Sequence, residues 1–228
     1  MRFNLKVLVF SLLFISAINA QDLTREQKLQ KIDELNGQIK ILETDALSPD
    51  AKDLKQAAKE GFEVFRLMPR EKYDHKFTVQ GGGAYYSFTT KSHDYQKIAQ
   101  VGLEQNYLKV GFAGADYGFI ADLGNVPLAD ITTETGEVVF LSDYQPPTKE
   151  IEVRSEQRKV YSYETPTATY RNRVLYSIGH SYALRAISFD NADLLVALKI
   201  YRKDTDGSLI IFWKMLKQFE KPTLERDQ

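Results

Sequence analysis

The segment that decides the fold runs from residue 194 to residue 217 and has the sequence LLVALKIYRK (194–203), DTDG (204–207) and SLIIFWKMLK (208–217). Two apolar runs flank an Asp-Gly pair, which is a strong local indication of a β-hairpin. Asp206 and Gly207 tolerate the positive φ angles that a tight turn needs. The segment therefore predicts a C-terminal β-hairpin.

The pattern of side chains also predicts the register of this hairpin. A connection with an even number of residues, two or four, places the following residues on one face: Val196, Leu198, Ile200, Leu209, Ile211, Trp213 and Met215. A connection of three residues would slip one strand and mix lysines into both faces. We therefore predict an even connection, a core-covering face that contains Trp213, and an opposite face that is half exposed to water.

The first twenty residues have the three-part layout of a secretory signal peptide. A basic segment containing Arg2 and Lys6 precedes an apolar run at 7–15, and small residues end at Ala20. The apolar run is too short to span a bilayer, which takes about 20 residues. We therefore predict cleavage after Ala20, export to the periplasm or the medium, and a mature chain without a transmembrane segment.

The composition excludes several functional classes. The chain contains no cysteine, so disulfides and thiolate chemistry are both excluded. Its 30 basic and 31 acidic side chains give a net charge of −1, whereas a nucleic-acid-binding protein shows a basic excess or patch. We expect no nucleic-acid partner.

Residues 21–70 are predicted to form a helical hairpin. Apolar residues recur at steps of three and four, which is helical periodicity: Leu29, Ile32, Leu35, Ile39 and Leu42. A second helix is predicted to begin with Ser48 as N-cap and Pro49 in the first turn, and to end at Pro69. The first apolar stripe covers about two heptads, so coiled-coil assembly remains an alternative to helices packed on their own domain.

Residues 71–221 are predicted to form a β-rich domain, followed by a polar tail at 222–228. We expect hairpins at 76–90, with a glycine turn, and at 98–112, with a turn at 105–106. Further strands are expected at 116–123 and 138–141, while 148–159 fits a helix or a strand, of which we favour the helix. The predicted class is α+β: the helical hairpin packed on a mostly antiparallel, twisted β-sheet or partly closed barrel, with the C-terminal β-hairpin.

Tyrosines are concentrated in the glycine-rich part of this domain. The candidate binding surface consists of Tyr85, Tyr86, Tyr107 and Tyr117. Exposed tyrosines stack on sugar rings or contact an apolar patch of a partner, whereas buried ones form the aromatic side of a sheet. The binding hypothesis requires at least one of the four to be exposed beside another aromatic side chain.

Metal and catalytic motifs are weak. In the predicted glycine-turn hairpin, His75 and His93 lie roughly 13 Å apart along the strands, too far to share one metal ion. His180, Ser181 and Asp190 are near in sequence, so a Ser-His-Asp triad stays an open alternative. No nucleophile-elbow pattern supports it, and adjacent residues on a strand point to opposite faces. We therefore expect no metal site and no cofactor, and the catalytic residues stay unknown.

These observations favour an exported, non-enzymatic protein, either a binding module or an envelope-associated protein, whose ligand is an unknown protein or glycan. The first alternative is a hydrolase that acts outside the cytoplasm through an unidentified site. The second alternative is a protein that assembles through its N-terminal helices. A cleft with convergent polar groups would favour the enzyme, and an exposed apolar helix stripe would favour assembly.

Overall fold

The computed structural model describes residues 23–96, 98–112, 114–166 and 168–225. The predicted signal peptide, residues 1–20, and the end of the predicted polar tail lie outside these ranges. The chain divides into two compact units, residues 1–42 and 43–228. No helix in the described part of the chain is long and apolar enough to span a membrane.

Helix α1 (Arg25–Leu47) confirms the helix predicted from the apolar spacing. A capping box starts it: the Gln27 amide N–H donates to Thr24 Oγ1, and the Thr24 N–H donates to Gln27 Oε1. In the larger unit, Leu47 at the end of α1 is buried. The Thr78 hydroxyl also donates to the Glu43 carboxylate, with a separation of 2.6 Å.

Helix α2 (Ala51–Glu60) is shorter than predicted, with Asp50 rather than Ser48 as its N-cap. Gly61 ends the helix in the left-handed conformation at φ 78°, which glycine adopts without a steric penalty. The chain then forms strand β1 (Glu63–Leu67) instead of continuing as a helix to Pro69. The predicted 21–70 helical segment is therefore wrong over this strand.

The described residues contain three further helices and ten further strands. The helices are α3 (Arg70–Tyr73), α4 (Gly136–Asp143) and α5 (Glu150–Lys159), with a 3₁₀ turn at Leu128–Asp130. The strands are β2 (Tyr85–Tyr86), β3 (Val101–Glu104), β4 (Tyr107–Lys109), β5 (Tyr117–Asp122), β6 (Tyr163–Glu164), β7 (Thr169–Tyr170), β8 (Arg173–Leu175), β9 (Ser181–Ser188), β10 (Ala192–Lys203) and β11 (Leu209–Gln218).

The strands form antiparallel sheets, which confirms the predicted α+β class with a helical N-terminus. The large sheet has the order β1-β11-β10-β9-β5, the small sheet has the order β2-β3-β4-β8, and β6 pairs with β7. The described strands form no closed barrel, so the open twisted sheet is the correct alternative. The helix favoured at 148–159 is confirmed by α5, but the strand expected at 138–141 is wrong, because α4 occupies it.

Strands β10 and β11 form the predicted C-terminal hairpin. Leu198 pairs with Trp213 and Ile200 pairs with Ile211, and all four side chains are buried in one core cluster. The connection at 204–208 has five residues, so the predicted even connection is wrong. A register shift between Ile200 and Arg202 adds one residue to β10, and this bulge restores the predicted core-covering face at Leu198, Ile200, Ile211 and Trp213. Met215, which was predicted on the same face, is instead 39% exposed beside a second register shift between Leu195 and Val196.

The large sheet is covered on both faces. The hairpin face opposite Trp213 is therefore more buried than the sequence predicts. One face packs against the inner side of the small sheet, which contributes Tyr86, Val101, Leu103 and Leu108. The other face carries Ala197, Ile210 and Phe212 and packs against α4 and α5. The outer side of the small sheet, however, carries polar side chains at the surface, and the candidate site lies there.

The expected 76–90 hairpin is wrong. Gly81, Gly82 and Gly83 all have positive φ, but β2 pairs with β3 rather than with residues 76–80. A Cβ atom on Gly82 would collide with the backbone of Tyr73, so these glycines allow close backbone approach. The hairpin between β3 and β4 is confirmed, with Gln105 and Asn106 at φ 47° and 66°.

Candidate functional site

Three of the four predicted surface tyrosines belong to the core. Tyr85, Tyr86 and Tyr117 are only 4%, 5% and 2% exposed. The Tyr86 ring stacks on Phe65 at a centroid distance of 4.0 Å. None of the four is exposed, so they do not meet the condition set for the predicted binding surface. Only Tyr107, which is half-buried, lies at the outer side of the small sheet.

The two other buried tyrosines are held by hydrogen bonds. The Tyr85 hydroxyl donates to Glu104 Oε1 at 2.6 Å, and the Tyr117 hydroxyl lies 3.0 Å from that of Tyr144. Burial is the main cause that raises the pKa of both Tyr85 and Tyr117 above the ordinary value of 10. These phenols are neutral at physiological pH and have structural roles.

The histidines do not converge. His93 Nε2 lies 2.6 Å from the Arg66 carbonyl oxygen, and burial lowers the pKa of its ring, while His75 is exposed. His180 Nδ1 lies 3.0 Å from Asp122 Oδ1, whereas the Ser181 hydroxyl donates to the Val126 carbonyl. Among the described residues, no group of three His, Asp or Glu side chains is arranged to hold a metal ion.

One cleft is built on the segment 171–175, which contains β8. This strand is at the edge of the small sheet, where it pairs with β4, and Arg171 also forms a bridge with Ile120 of the large sheet. Exposed and half-buried residues alternate along the segment, and the exposed ones are Arg171, Arg173 and Leu175. This is the pattern of a strand with one solvent-exposed face. The segment therefore presents two guanidinium groups to one side.

The cleft has a volume of about 770 Å³, within the range of small-molecule sites. Its lining residues are Tyr107, Ala121, Asp122, Glu137, Tyr161, Ser162, Ala168, Thr169, Arg171, Arg173, Val174 and Leu175. The guanidinium carbon of Arg173 lies 5.4 Å from the centre of the Tyr107 ring, which is a cation–π contact. Tyr161 and Leu175 are 65% and 59% exposed, so the cleft also offers aromatic and apolar surface.

The arginines of this region differ from the other arginines of the larger unit. Five of those others form carboxylate ion pairs: Arg66, Arg70, Arg154, Arg185 and Arg202. Arg158, Arg171 and Arg173 form no ion pair and no side-chain hydrogen bond with any described residue. Their guanidinium groups are therefore available to a ligand.

A smaller cleft of about 340 Å³ shares Tyr161 with the larger one and contains Asp116, Arg158 and Asn172. Asn172 Oδ1 is buried and has no hydrogen-bond partner among the described groups. Burial raises the pKa of Asp116 to about 6, although hydrogen bonds from the Ser188 side chain and the Phe189 backbone act in the opposite direction. The smaller cleft thus offers a hydrogen-bond acceptor and a partly protonated acid.

The charged side chains of the larger cleft determine which groups it can bind. No histidine is among the described residues that line either cleft. Asp122 in the larger cleft is paired with His180, whose Nδ1 lies 3.0 Å from Asp122 Oδ1. The unpaired guanidinium groups instead offer planar, charged hydrogen-bond donors that match an anionic group.

Comparison with protein-family models, with curated proteins and with solved structures finds no match to this chain. The site therefore rests on its own residues. Arg171 and Arg173 were not predicted as site residues from the sequence, although their alternation with Asn172 and Val174 is a visible strand pattern. That pattern does not reveal that Arg171 and Arg173 form no ion pair with any described residue, although Asp122 and Glu137 line the same cleft.

Proposed function

We propose that this protein is an exported, non-enzymatic binding protein that holds an acidic saccharide in the cleft around Arg171 and Arg173. One observation carries the proposal: two exposed guanidinium groups that pair with no described carboxylate lie in one cleft with Tyr107 and Tyr161. The export of the protein is part of the proposal and rests on the pattern of residues 1–20.

The two unpaired guanidinium groups, and not the net charge of the cleft, support an anionic ligand, because Asp122 and Glu137 line the same cleft. Arginine forms paired, charge-assisted hydrogen bonds with carboxylate, sulfate and phosphate groups because its donors lie in one plane. Arg171 and Arg173 are two residues apart on one strand face, so they can contact one anionic group or two neighbouring ones. Because both are exposed, the binding should weaken as the salt concentration rises.

The aromatic and apolar lining supports a saccharide rather than a simple anion. Tyrosine offers an apolar ring face and a hydroxyl, and this combination packs against the C–H face of a sugar ring. Tyr107 is positioned by its cation–π contact with Arg173, and Tyr161 is 65% exposed. A ligand with a sugar ring and an attached carboxylate or sulfate would use both features.

The hydrolase alternative is favoured by one observation, the raised pKa of Asp116, because a carboxyl group with a pKa of about 6 can act as a general acid or base. Glycoside hydrolysis usually takes two carboxyl groups, and Asp116 is the only Asp or Glu among the described residues lining the smaller cleft. Release of reducing ends from the bound oligosaccharide would favour this alternative over simple binding.

Calorimetry with defined oligosaccharides tests the proposal. The probes are a uronic-acid hexasaccharide, a neutral glucose hexasaccharide and poly-glutamate. We expect binding of the uronic-acid probe only, and a loss of about tenfold to hundredfold in affinity for the double variant Arg171→Gln/Arg173→Gln. The matched control, Lys55→Gln/Lys59→Gln, removes the same charge from the exposed face of α2 and should bind normally.

Two results would contradict the proposal. Equal loss of binding in the lysine control would mean that only the overall charge matters. Equal affinity for poly-glutamate and the uronic-acid probe would mean that the cleft recognises charge without the sugar ring. A Tyr107→Ala variant tests the contribution of the ring directly. It should lower the affinity for the saccharide but leave any residual binding of poly-glutamate unchanged.

A further inference from the structure

Helix α1 exposes a continuous apolar stripe. Its members, here called the α1 stripe, are Leu29, Ile32, Leu35, Ile39 and Leu42, which are 53%, 51%, 44%, 39% and 69% exposed. At 100° per residue they lie along one side of the helix. A row of five large apolar side chains is more than scattered surface residues account for, and it marks an interaction surface.

The spacing of the α1 stripe fits a coiled-coil seam. Ile32, Leu35, Ile39 and Leu42 are separated by three, four and three residues, which is the alternation of a and d positions in a heptad repeat. Gly37 lies at the outward f position, where a Cβ atom would meet nothing within 4 Å, so it does not interrupt the seam. The helix begins with its own capping box and can act as a separate element.

The charges that flank the seam favour a second copy of the chain in the antiparallel direction. A parallel, in-register pair would place Lys28, at a d position, against Lys28 of the partner subunit. The antiparallel register that packs Ile32 on Leu42 of the partner subunit places Lys28 opposite an alanine. It also brings Lys31 beside Asp45 of the partner subunit, twice by symmetry.

We infer that α1 of one copy pairs antiparallel with α1 of a second copy through the α1 stripe. The seam spans only about two heptads, which is short for a coiled coil. The dimer is therefore reversible and dissociates on dilution. This assembly uses α1 alone and is independent of saccharide binding in the larger unit.

Sedimentation velocity over a dilution series of the purified protein tests the inference. We expect a monomer–dimer equilibrium that is lost in Leu35→Lys, because this change places a charge in the seam of each copy. The matched control is Ile41→Lys, since Ile41 is 71% exposed but lies on the opposite side of α1. This control should dimerise normally, and far-UV circular dichroism should show the same helix content in both variants.

Charge reversal tests the direction of the pairing. Lys31→Glu and Asp45→Lys should each weaken the dimer by about fivefold to thirtyfold, because each creates two like-charge contacts. The double variant should recover the affinity, which only the antiparallel register predicts. A wild-type protein that is monomeric at every concentration, a control as disruptive as Leu35→Lys, or a double variant that does not recover would each overturn the inference.

Discussion

The Arg185 guanidinium and the Asp193 carboxylate form a bidentate ion pair between β9 and β10, with donor–acceptor distances of 2.9 and 2.7 Å. Both side chains are 1% exposed. Arg185 Nη1 also donates to the carbonyl oxygens of Leu141 and Tyr144, at 2.7 and 2.6 Å. Arg185 therefore joins the helix-covered face of the large sheet to the end of α4. Its Nε, Nη1 and Nη2 atoms all donate hydrogen bonds to protein oxygens.

Removing one member of this pair should be costly. Asp193→Ala leaves a buried guanidinium without its counter-charge, so we expect a loss of about 3–5 kcal/mol in the free energy of unfolding. Urea denaturation, followed by the fluorescence of the single tryptophan, measures it. The control Glu63→Ala breaks an exposed pair with Lys91 and should cost less than about 1 kcal/mol. Similar losses in both variants would contradict the expected role of burial.

Trp213 should contribute strongly to stability through packing. Its side chain is buried opposite Leu198, and its ring lies 4.7 Å from that of Phe88. Trp213→Ala should therefore cost about 3–5 kcal/mol, measured by circular dichroism during urea denaturation. Trp213→Phe should cost less, because Nε1 has no hydrogen-bond partner among the described groups and only volume is lost. A water-like emission maximum of native Trp213 would contradict its burial.

Elements with a strong local period could be predicted from the sequence. Helix α1 and the β10–β11 hairpin have unbroken patterns, and the Gln105–Asn106 turn has residues that accept positive φ. The error in the connection of the C-terminal hairpin did not change its faces. The bulge at Tyr201 and the five-residue connection each shift the register by one residue, and the two shifts cancel.

Elements that depend on distant partners could not be predicted. Strand β1 follows Gly61 and is stabilised by pairing with β11, about 150 residues later in the sequence. Tyr85 and Tyr86 point to opposite faces, as expected, but both are buried. Tyr86 faces the large sheet, while Tyr95 and Phe112 cover Tyr85 from outside. Coverage by a neighbouring loop has no local signal, so the predicted tyrosine surface was largely wrong.

The predicted signal peptide leads to a direct test of export. Residues 1–20 should be removed when the full chain is expressed in a secreting host, so the mature protein should start at Gln21. Intact mass and N-terminal sequencing of the protein from the periplasm or the medium measure this. Replacing Leu12 and Leu13 with arginine should block export, because it interrupts the apolar run. An exported protein that still begins at Met1 would contradict the prediction.

Glu104 should make the stability of the small sheet depend on pH. Its partial burial acts to raise the pKa, but hydrogen bonds from Lys109, Tyr85 and Arg70 outweigh burial and lower the pKa to about 2. The folded-state pKa is thus below the ordinary value of 4.5. The resulting stabilisation is fully present above pH 4.5 and is lost as the pH falls from 4.5 towards 2.

Glu104→Gln isolates this contribution, because glutamine keeps the shape and removes the charge. At pH 7 the variant should unfold more easily by on the order of 2 kcal/mol, and the difference from the wild type should shrink as the pH falls below 4.5. Urea denaturation at pH 7, 4 and 3 measures it. The control Glu220→Gln changes an exposed glutamate without an ion pair to any described residue and should stay within about 0.5 kcal/mol. A Glu104→Gln effect that is the same at all three pH values would show that the side chain stabilises the sheet through packing and not through its charge.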